Sequence, residues 1–352
     1  MPSLSSSRIA MNTTAKHGFT LNELAERVGA TVVGNGEARI TRLATLHDAG
    51  PEDLAFLANP SYLRFLHQTR AGGVLIREEH KDSCPVPALL LKDPYLGYAL
   101  LSQLFDPVTA ELVPAIHDTA VIAETATIGE RVSIGPHVYI GEHAVIEHDV
   151  SIAAGAVVGN GCIVGAATRI YPNATLYHGV TLGARCIIHS SAVLGGDGFG
   201  FAFNGGGWTK IAQLGGVRIG NDVEIGSCSS VDRGALGDTI IGDDVKIDSQ
   251  VQIAHNVHIG DHSALAGCVG IAGSTKIGRG CLLGGGVGIA GHLDIGDRVQ
   301  ITGMSLVTHS IQEPGVYSSG TGPMPNAQWR KNAVRFKQLD EMARRISKLE
   351  KR

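Results

Sequence analysis

The sequence predicts a mainly β protein built around a parallel β-helix, and three observations support this prediction. Every sixth residue over 116–194 is aliphatic, fourteen positions in succession. The same period returns over 219–231 and, after a slip of four residues, runs unbroken over 241–307. Small and polar residues, mainly Gly, Ala, Ser, Asp and Asn, fill many of the positions between. A strict six-residue repeat is the signature of stacked coils that bury one aliphatic side chain per short strand.

Residues 17–112 do not follow this repeat, and they predict a small α/β domain. Thr20 and Glu23 form a capping box at the start of a first helix. Asp93 and Pro94 place a cap and a first-turn proline before a second, apolar helix. Helices alternating with short apolar stretches favour a mixed α/β fold.

The other segments complete the division of the chain. Residues 1–16 are rich in Ser and Thr and lack an apolar stretch, so we interpret them as a disordered extension rather than a secretory signal. A linker bounded by prolines is predicted at 107–114. The β-helix is predicted over 113–318, and residues 319–352 are predicted to end the chain with a helical segment.

The helical C-terminal segment combines an apolar stripe with positive charge. Residues 326–352 contain nine basic and three acidic side chains. The stripe consists of Phe336, Leu339, Met342, Ile346 and Leu349. This pattern is compatible with a solvated face, with packing between copies of the chain, and with docking of an acidic partner.

One long interruption of the repeat predicts a binding cleft. Residues 195–216 leave the six-residue period and begin with Gly-Gly-Asp-Gly-Phe-Gly-Phe. A loop rich in glycine and aromatic residues that leaves a regular solenoid often borders a ligand site. A simple surface insertion is the alternative.

Composition and charge exclude several classes of function. The net charge of −4 gives no general signal for nucleic-acid binding, and no apolar run approaches the length of a membrane span. Six cysteines without C-x-x-C spacing indicate free thiols in a reducing compartment, so we expect a cytoplasmic protein. A G-x-G-x-x-G match at 286–291 is not a dinucleotide site, because no helix follows it and Ile289 belongs to the aliphatic repeat.

Histidine is the strongest chemical signal in the second half of the repeat. His255 and His292 are 37 residues apart, close to two coils, so they are predicted to lie on nearly the same face. Asp248 precedes His255 by seven residues, near an adjacent corner. An Asp–His pair beside a cleft is what a general base needs, since the carboxylate holds the imidazole in one tautomer. A zinc site formed by histidines at subunit interfaces is the competing interpretation, and the spacing does not exclude it.

Three segments, together with the aliphatic repeat, closely resemble one enzyme family. They are 231–236 (Val-Asp-Arg-Gly-Ala-Leu), 247–256 (Ile-Asp-Ser-Gln-Val-Gln-Ile-Ala-His-Asn) and 313–320 (Glu-Pro-Gly-Val-Tyr-Ser-Ser-Gly). The resemblance is to the UDP-3-O-acylglucosamine N-acyltransferases, which act third in lipid A biosynthesis of Gram-negative bacteria, and it covers the chain from about residue 17 onward. It implies a left-handed β-helix that assembles as a homotrimer, with active sites between subunits and an N-terminal domain that binds uridine.

The resemblance also implies roles for individual residues. His255 matches the general base, Asp248 its acidic companion, and His292 a second active-site histidine that helps to bind substrate. The backbone N–H of Gly273 matches the donor to the thioester oxygen. The other implied positions are Phe56, Asn59 and Tyr62 for the uracil, Gln252 and Asn256 for the substrate, and Met304 and Leu306 for the acyl pocket.

The implied reaction moves a 3-hydroxyacyl chain from acyl carrier protein to the 2-amino group of UDP-3-O-(3-hydroxyacyl)glucosamine. His255 takes the proton of the attacking amine, which is worth roughly 10²–10⁴ in rate. No metal or redox cofactor is expected. Because acyl carrier protein is acidic, Arg344, Arg345 and Lys348 are predicted to dock it.

Two positions depart from the family pattern, and two other functions stay open. Ser249 stands where the family often has Asn, and Leu306 stands where a larger residue can end the acyl tunnel. A zinc-dependent hydratase on the same scaffold is the alternative activity. A non-catalytic scaffold is the third hypothesis, and the predicted uracil-binding domain argues against it.

Overall fold

The computed structural model describes residues 18–106, 114–320 and 322–351. The chain divides into two compact units, Met1–Val113 and Pro114–Arg352. The predicted extension at 1–16 lies outside the described residues, as does the predicted linker except for its last proline. None of the helices in the described ranges has the length and apolar character to span a membrane.

The first unit contains a five-stranded sheet that is buried on both faces. Its strands lie in the order Thr31–Val33, Ala88–Leu90, Gly73–Ile76, Asp53–Phe56 and Arg42–Leu43. The first pair is antiparallel and the others are parallel. Alternate residues such as Leu54 and Ala55 belong to two separate apolar clusters. The alternation follows from strand geometry, which points successive side chains to opposite faces.

The helices of the first unit begin where the sequence predicts. Thr20 accepts the N–H of Glu23, whose carboxylate accepts the N–H of Thr20, and this complete capping box starts the helix Leu21–Val28. Asp93 caps the helix Pro94–Ser102. The remaining elements are the antiparallel pair Phe19–Thr20 and Arg39–Ile40, the helix Leu63–Leu66, and the 3₁₀ turns Pro60–Tyr62 and Glu78–Ser83.

The second unit is a parallel β-solenoid with three faces, because its strands pair in parallel from one coil to the next in three separate sheets. Face 1 consists of Ser133–Ile134, Ser151–Ile152, Arg169–Ile170, Ile187–Ile188, Glu224–Ile225, Lys246–Ile247, Ala264–Leu265, Leu282–Leu283, Val299–Ile301 and Gly315–Tyr317. Face 2 consists of Val121–Ile122, Tyr139–Ile140, Val157–Val158, Thr175–Leu176, Val193–Gly196, Ser230–Asp232, Gln252–Ile253, Gly270–Ile271, Gly288–Ile289 and Leu306–Val307. Face 3 consists of Thr127–Ile128, Val145–Ile146, Ile163–Val164, Thr181–Leu182, Val217–Ile219, Thr239–Ile241, His258–Ile259, Lys276–Ile277 and Asp294–Ile295.

The predicted aliphatic repeat forms the solenoid core, which confirms the fold class. Its side chains from Ile134 onward are buried and belong to one continuous cluster. Ile122 and Ile128 are partly buried against that cluster. The first position of the repeat differs, because Ile116 is half exposed and forms an isolated bridge to Ile134 rather than a strand.

Both interruptions of the repeat lie where face 2 turns into face 3. The first follows Val193–Gly196 and carries a hairpin of Phe201–Phe203 and Trp208–Lys210. The second, the four-residue slip, lies one coil further on, between Ser230–Asp232 and Thr239–Ile241. We call this line of corners the site edge, which comprises residues 197–216, 233–238, 254–257, 272–275 and 290–293.

Two helices, Asn326–Phe336 and Leu339–Glu350, follow the solenoid, as predicted for the C-terminal segment. None of their described residues is buried in one chain. The apolar stripe is therefore open, with Phe336 and Leu349 among its most exposed members.

Candidate active site

His255 lies on the site edge, half-buried between two glycines. A Cβ on Gly273 would stand 2.7 Å from Nε2 of the imidazole, and a Cβ on Gly198 would stand 2.7 Å from Cβ of His255. Real side chains do not approach so closely, so the ring occupies space that only glycine leaves free. The loop that the sequence predicts to border a cleft thus packs directly against this histidine.

The Cε1–Nε2 edge of the His255 ring lies against Gly273, whose N–H has no hydrogen-bond acceptor among the described residues. His292 lies two coils beyond His255 on the same edge, as its spacing predicts, and its own N–H donates to the Gly273 carbonyl. The His292 side chain is exposed. Three of the predicted catalytic residues therefore share one edge of the solenoid.

Asp248 lies on a different edge, where face 1 turns into face 2. Its Oδ1 accepts the Ser249 backbone N–H at 2.7 Å, a contact that does not depend on the Ser249 side chain. Asp248 lines a groove on face 1 together with His189 and Glu224. Over the described part of one chain, Asp248 forms no hydrogen bond or ion pair with His255, so a single chain does not bring the predicted pair together.

Asp232 is an acidic group near His255 that the sequence reasoning missed. Burial raises the pKa of Asp232 above its ordinary value, while hydrogen bonds from Gln252 and Ser230 and the charge of His255 act in the opposite direction. Nε2 of Gln252, a predicted substrate contact, donates to Asp232 at 2.9 Å. In the sequence, Asp232 is marked only by its position directly before the four-residue slip of the repeat.

Arg233 fastens both ends of the long loop to the solenoid. It is 4% exposed, and its backbone N–H donates to Gly196 while its guanidinium donates to the Gly215 carbonyl at 3.0 Å. A further bond of 2.8 Å reaches the carbonyl of His178, two coils back. A buried guanidinium is tolerated where its donors are satisfied. These bonds hold the loop against His255.

The Asn256 side chain is engaged within the chain. Its Oδ1 accepts the N–H of Ala235 at 2.9 Å, and its amide nitrogen donates to the Gly237 carbonyl at 2.8 Å. Nδ1 of His255 lies 3.1 Å from the same Oδ1. The predicted contact of Asn256 with substrate stays a prediction, and the structure gives this side chain a contact with His255.

A trough of small residues runs along face 2 from Gln252 to Leu306. These two residues and the intervening Gly270 and Gly288 occupy the same position in four successive strands. A Cβ at Gly270 would meet nothing within 4 Å, and one at Gly288 would meet Leu306 at 3.6 Å. Leu306 therefore stands at the far end, about 14 Å from Gln252 at the usual strand spacing. Met304, on the preceding corner, is 80% exposed.

Comparison with known proteins decides the family. Residues 37–104 match the model of the UDP-3-O-(3-hydroxymyristoyl) glucosamine N-acyltransferase family, and 161–196 and 238–273 match the bacterial transferase hexapeptide repeat. The UDP-3-O-acylglucosamine N-acyltransferase of Chromohalobacter salexigens is 65% identical over 341 residues, 97% of this chain and 98% of the relative. That of Pseudomonas fluorescens is 56% identical over 332 residues, 94% of each chain. The chain belongs to the UDP-3-O-acylglucosamine N-acyltransferases.

This membership makes the chain an acyltransferase of the lipid A pathway. The crystal structure of an Arabidopsis UDP-N-acetylglucosamine acyltransferase superposes on it with a TM-score of 0.53 at 23% identity. The superposition covers 62% of this chain and 77% of that one. The likeness supports the fold alone.

The acyltransferase carries its predicted uracil-contacting residues within the segment that matches the family model. Phe56 is half-buried and stacks on Tyr98, with ring centroids 4.1 Å apart. Tyr62 is exposed, and Oδ1 of Asn59 accepts the N–H of Ser61. One face of Phe56 is thus covered by an aromatic residue that the sequence reasoning did not single out.

The predicted docking residues lie together on the last helix of the acyltransferase. Arg344, Arg345 and Lys348 are exposed, and Arg344 pairs with Asp340 at 2.9 Å. Across the described residues of one chain, no three His, Cys, Asp or Glu side chains are arranged to hold a metal ion.

Proposed function

We propose that this acyltransferase moves a 3-hydroxyacyl chain from acyl carrier protein to the 2-amino group of UDP-3-O-(3-hydroxyacyl)glucosamine, giving UDP-2,3-diacylglucosamine in the cytoplasm. His255 acts as the general base. The observation that carries the proposal is the position of His255, whose Nε2 lies against Gly273 on the edge where the long loop packs.

The residues on this edge suit acyl transfer from a thioester. The amine attacks the carbonyl carbon, and Nε2 of His255 takes the proton as the C–N bond forms. Negative charge then develops on the carbonyl oxygen, to which the N–H of Gly273 donates. When the C–S bond breaks, the proton held by His255 passes to the departing sulfur. The histidine returns to its starting state, and we propose that no metal or redox cofactor takes part.

We assign the uridine to the aromatic residues of the first unit. Stacking on an aromatic side chain is worth about 1–3 kcal/mol per base. Phe56 is held in place by Tyr98, and Tyr62 is exposed and free to close over a base. Asn59 offers an amide that can both donate to and accept from the edge of uracil.

We assign the acyl chain to the trough on face 2. Gly270 and Gly288 leave room for a hydrocarbon chain, and Leu306 closes the far end. Each buried methylene is worth about 0.8 kcal/mol, so the side chain at the closing position sets the preference for chain length.

We further propose that the enzyme is a homotrimer with active sites between subunits. Two features of the single chain support this. The apolar stripe of the C-terminal helices is open, and Asp248 lies on a different edge from His255. In a trimer the acidic companion would reach the base from a neighbouring subunit.

The experiment that tests the activity measures the diacylated product formed from UDP-3-O-(3-hydroxyacyl)glucosamine and 3-hydroxyacyl carrier protein. His255→Ala should lower turnover by roughly 10²–10⁴ without loss of the fold. His258→Ala removes an exposed histidine of the neighbouring face and should leave turnover unchanged. Near-normal turnover of His255→Ala would refute the base assignment.

Stoichiometric zinc bound by histidines in the purified protein would favour the zinc-dependent hydratase instead.

A further inference from the structure

The side chain of Asn256 is fixed in one orientation by the four-residue slip of the repeat. Its Oδ1 accepts the Ala235 N–H, and its amide nitrogen donates to the Gly237 carbonyl. A peptide N–H can only donate and a carbonyl can only accept, so these two bonds decide which end of the amide is oxygen. The oxygen is therefore the atom that lies 3.1 Å from Nδ1 of His255.

This orientation determines where the imidazole carries its proton. An amide oxygen has no hydrogen to give, so Nδ1 of His255 must be the donor in this contact. In the neutral ring the lone pair then lies on Nε2, the nitrogen that faces Gly273. A general base needs its lone pair on the nitrogen that meets the substrate.

The slip of the repeat supplies both anchoring groups. Ala235 and Gly237 belong to the residues inserted at 233–238, where other corners of the solenoid have a regular hexapeptide. Gly234 shows how tightly this corner is folded, because a Cβ there would lie 1.6 Å from the Gly237 carbonyl oxygen and 2.7 Å from Nδ2 of Asn256. The insertion is thus shaped to hold the amide.

We propose that Asn256 is a positioning residue that keeps the proton of His255 on Nδ1 and leaves Nε2 free to accept the proton of the substrate amine. This inference rests on the proposed function of His255 as the base. The neutral amide oxygen orients the ring without a full negative charge, so it stabilises the imidazolium less than a carboxylate would.

Several other charges surround the histidine and would influence its titration. Within one chain they are Asp232, Asp197 with its partner Lys210, Arg233, His178 and, two coils away, His292, and in the proposed trimer the partner subunit's Asp248 joins them. All of them are unchanged in a variant at Asn256, so a shift between that variant and the parent enzyme reports the contact at Nδ1.

Two substitutions separate the tautomer effect from a general loss of structure. Asn256→Asp keeps an acceptor oxygen against Nδ1 and adds a negative charge, so the acidic limb of the kcat/KM profile should move to higher pH by about one unit. Asn256→Gly removes the acceptor but suits the left-handed backbone at this corner, where φ is 60°. Its kcat should fall by about 10²-fold, with little change in KM for the sugar nucleotide.

Asn173→Gly is the matched control, because Asn173 has the same φ of 60° at a corner away from the site edge. It should leave both the turnover and the pH profile unchanged. Superimposable pH profiles for Asn256→Asp and the parent enzyme, with full turnover, would overturn the inference. If His255→Ala instead kept its turnover, the proposed function would fail independently of Asn256.

A measurement on the unaltered enzyme avoids any effect of substitution on folding. Magnetic resonance of the ring nitrogens in isotope-labelled histidine, assigned by comparison with His255→Ala, distinguishes the two tautomers. We expect neutral His255 to carry its proton on Nδ1. A proton on Nε2 would overturn the assignment of Asn256 even if every variant lost activity.

Discussion

His255 depends on the absence of a side chain at Gly273. The backbone of Gly273 lies outside the left-handed region, so alanine can adopt it without backbone strain. The Cβ would nevertheless stand 2.7 Å from Nε2 and push the ring away from its place against Gly273. Gly273→Ala should therefore lower kcat by about 10²-fold, since displacements of about 1 Å at a reacting group have costs of this size.

Gly285→Ala is the control for this prediction. Gly285 occupies the same position of its hexapeptide as Gly273, and its added Cβ would make only an ordinary contact of 3.4 Å with the Gly267 carbonyl. Turnover should be unchanged and thermal unfolding should be similar in the two variants. Equal activity of both variants in steady-state assays would contradict the assigned contact between Gly273 and His255.

At the residue scale, the sequence predicts positions that follow from counting coils. Gly273 and His292 lie one and two coils from His255, and the structure places all three on one edge. Counting does not predict the contacts made by the insertions. Arg233 and the partners of Asn256 depend on hydrogen bonds across a segment that has no period, so spacing carries no signal for them.

At the scale of elements, local chemistry was sufficient for the helix starts but not for side-chain partners. The capping box of Thr20 and the Asp93 cap use bonds within one turn, and both are present as predicted. The stacking of Phe56 on Tyr98 joins a strand to a helix far along the chain. Such a contact follows from the packing of the sheet rather than from local sequence.

The last helix, Leu339–Glu350, carries a prediction of its own. Changing Arg344 and Arg345 together to Glu should raise KM for the acyl carrier protein on the order of 10-fold, because like charges slow the encounter with an acidic partner. KM for the sugar nucleotide should stay unchanged. The ion pair of Arg344 with Asp340 is exposed, so its loss has little effect on stability.

The preceding helix supplies the control for charge. Changing Arg330 and Lys331 to Glu alters the net charge by the same amount on exposed positions of Asn326–Phe336. Initial rates over a range of carrier concentrations distinguish the two pairs. Equal increases in KM for both pairs, or equal effects on the two substrates, would argue against docking at Arg344 and Arg345.

At the scale of the molecule, the aliphatic repeat predicts the solenoid because one inward side chain per hexapeptide is all that its core needs. The three faces follow from that period. The repeat says nothing about which faces meet another copy of the chain. Asp248 and His255 are seven positions apart, which is little more than one hexapeptide, and this places them on successive edges rather than in contact.

The proposed trimer makes a quantitative prediction from this separation. A closed ring of three subunits has three equivalent sites, each combining His255 of one chain with Asp248 of the next. Chains with His255→Ala and chains with Asp248→Ala should each assemble into trimers of low activity. In a trimer that contains both variants, one of the three sites combines intact His255 from an Asp248→Ala chain with intact Asp248 from a His255→Ala chain. Refolding an equal mixture should then restore about a quarter of the parent activity.

If His255 and Asp248 acted together within one chain, the mixture would stay inactive, because every chain in it lacks one of the two residues. The mixture of His255→Ala with Gly273→Ala provides that comparison, since these two residues touch in the same chain. It should stay as inactive as its components. If the His255→Ala and Asp248→Ala mixture also stayed inactive while sedimentation showed mixed trimers, the acidic companion would not come from the neighbouring subunit. Asp232, which is already close to the base in its own chain, would then be the carboxylate to test.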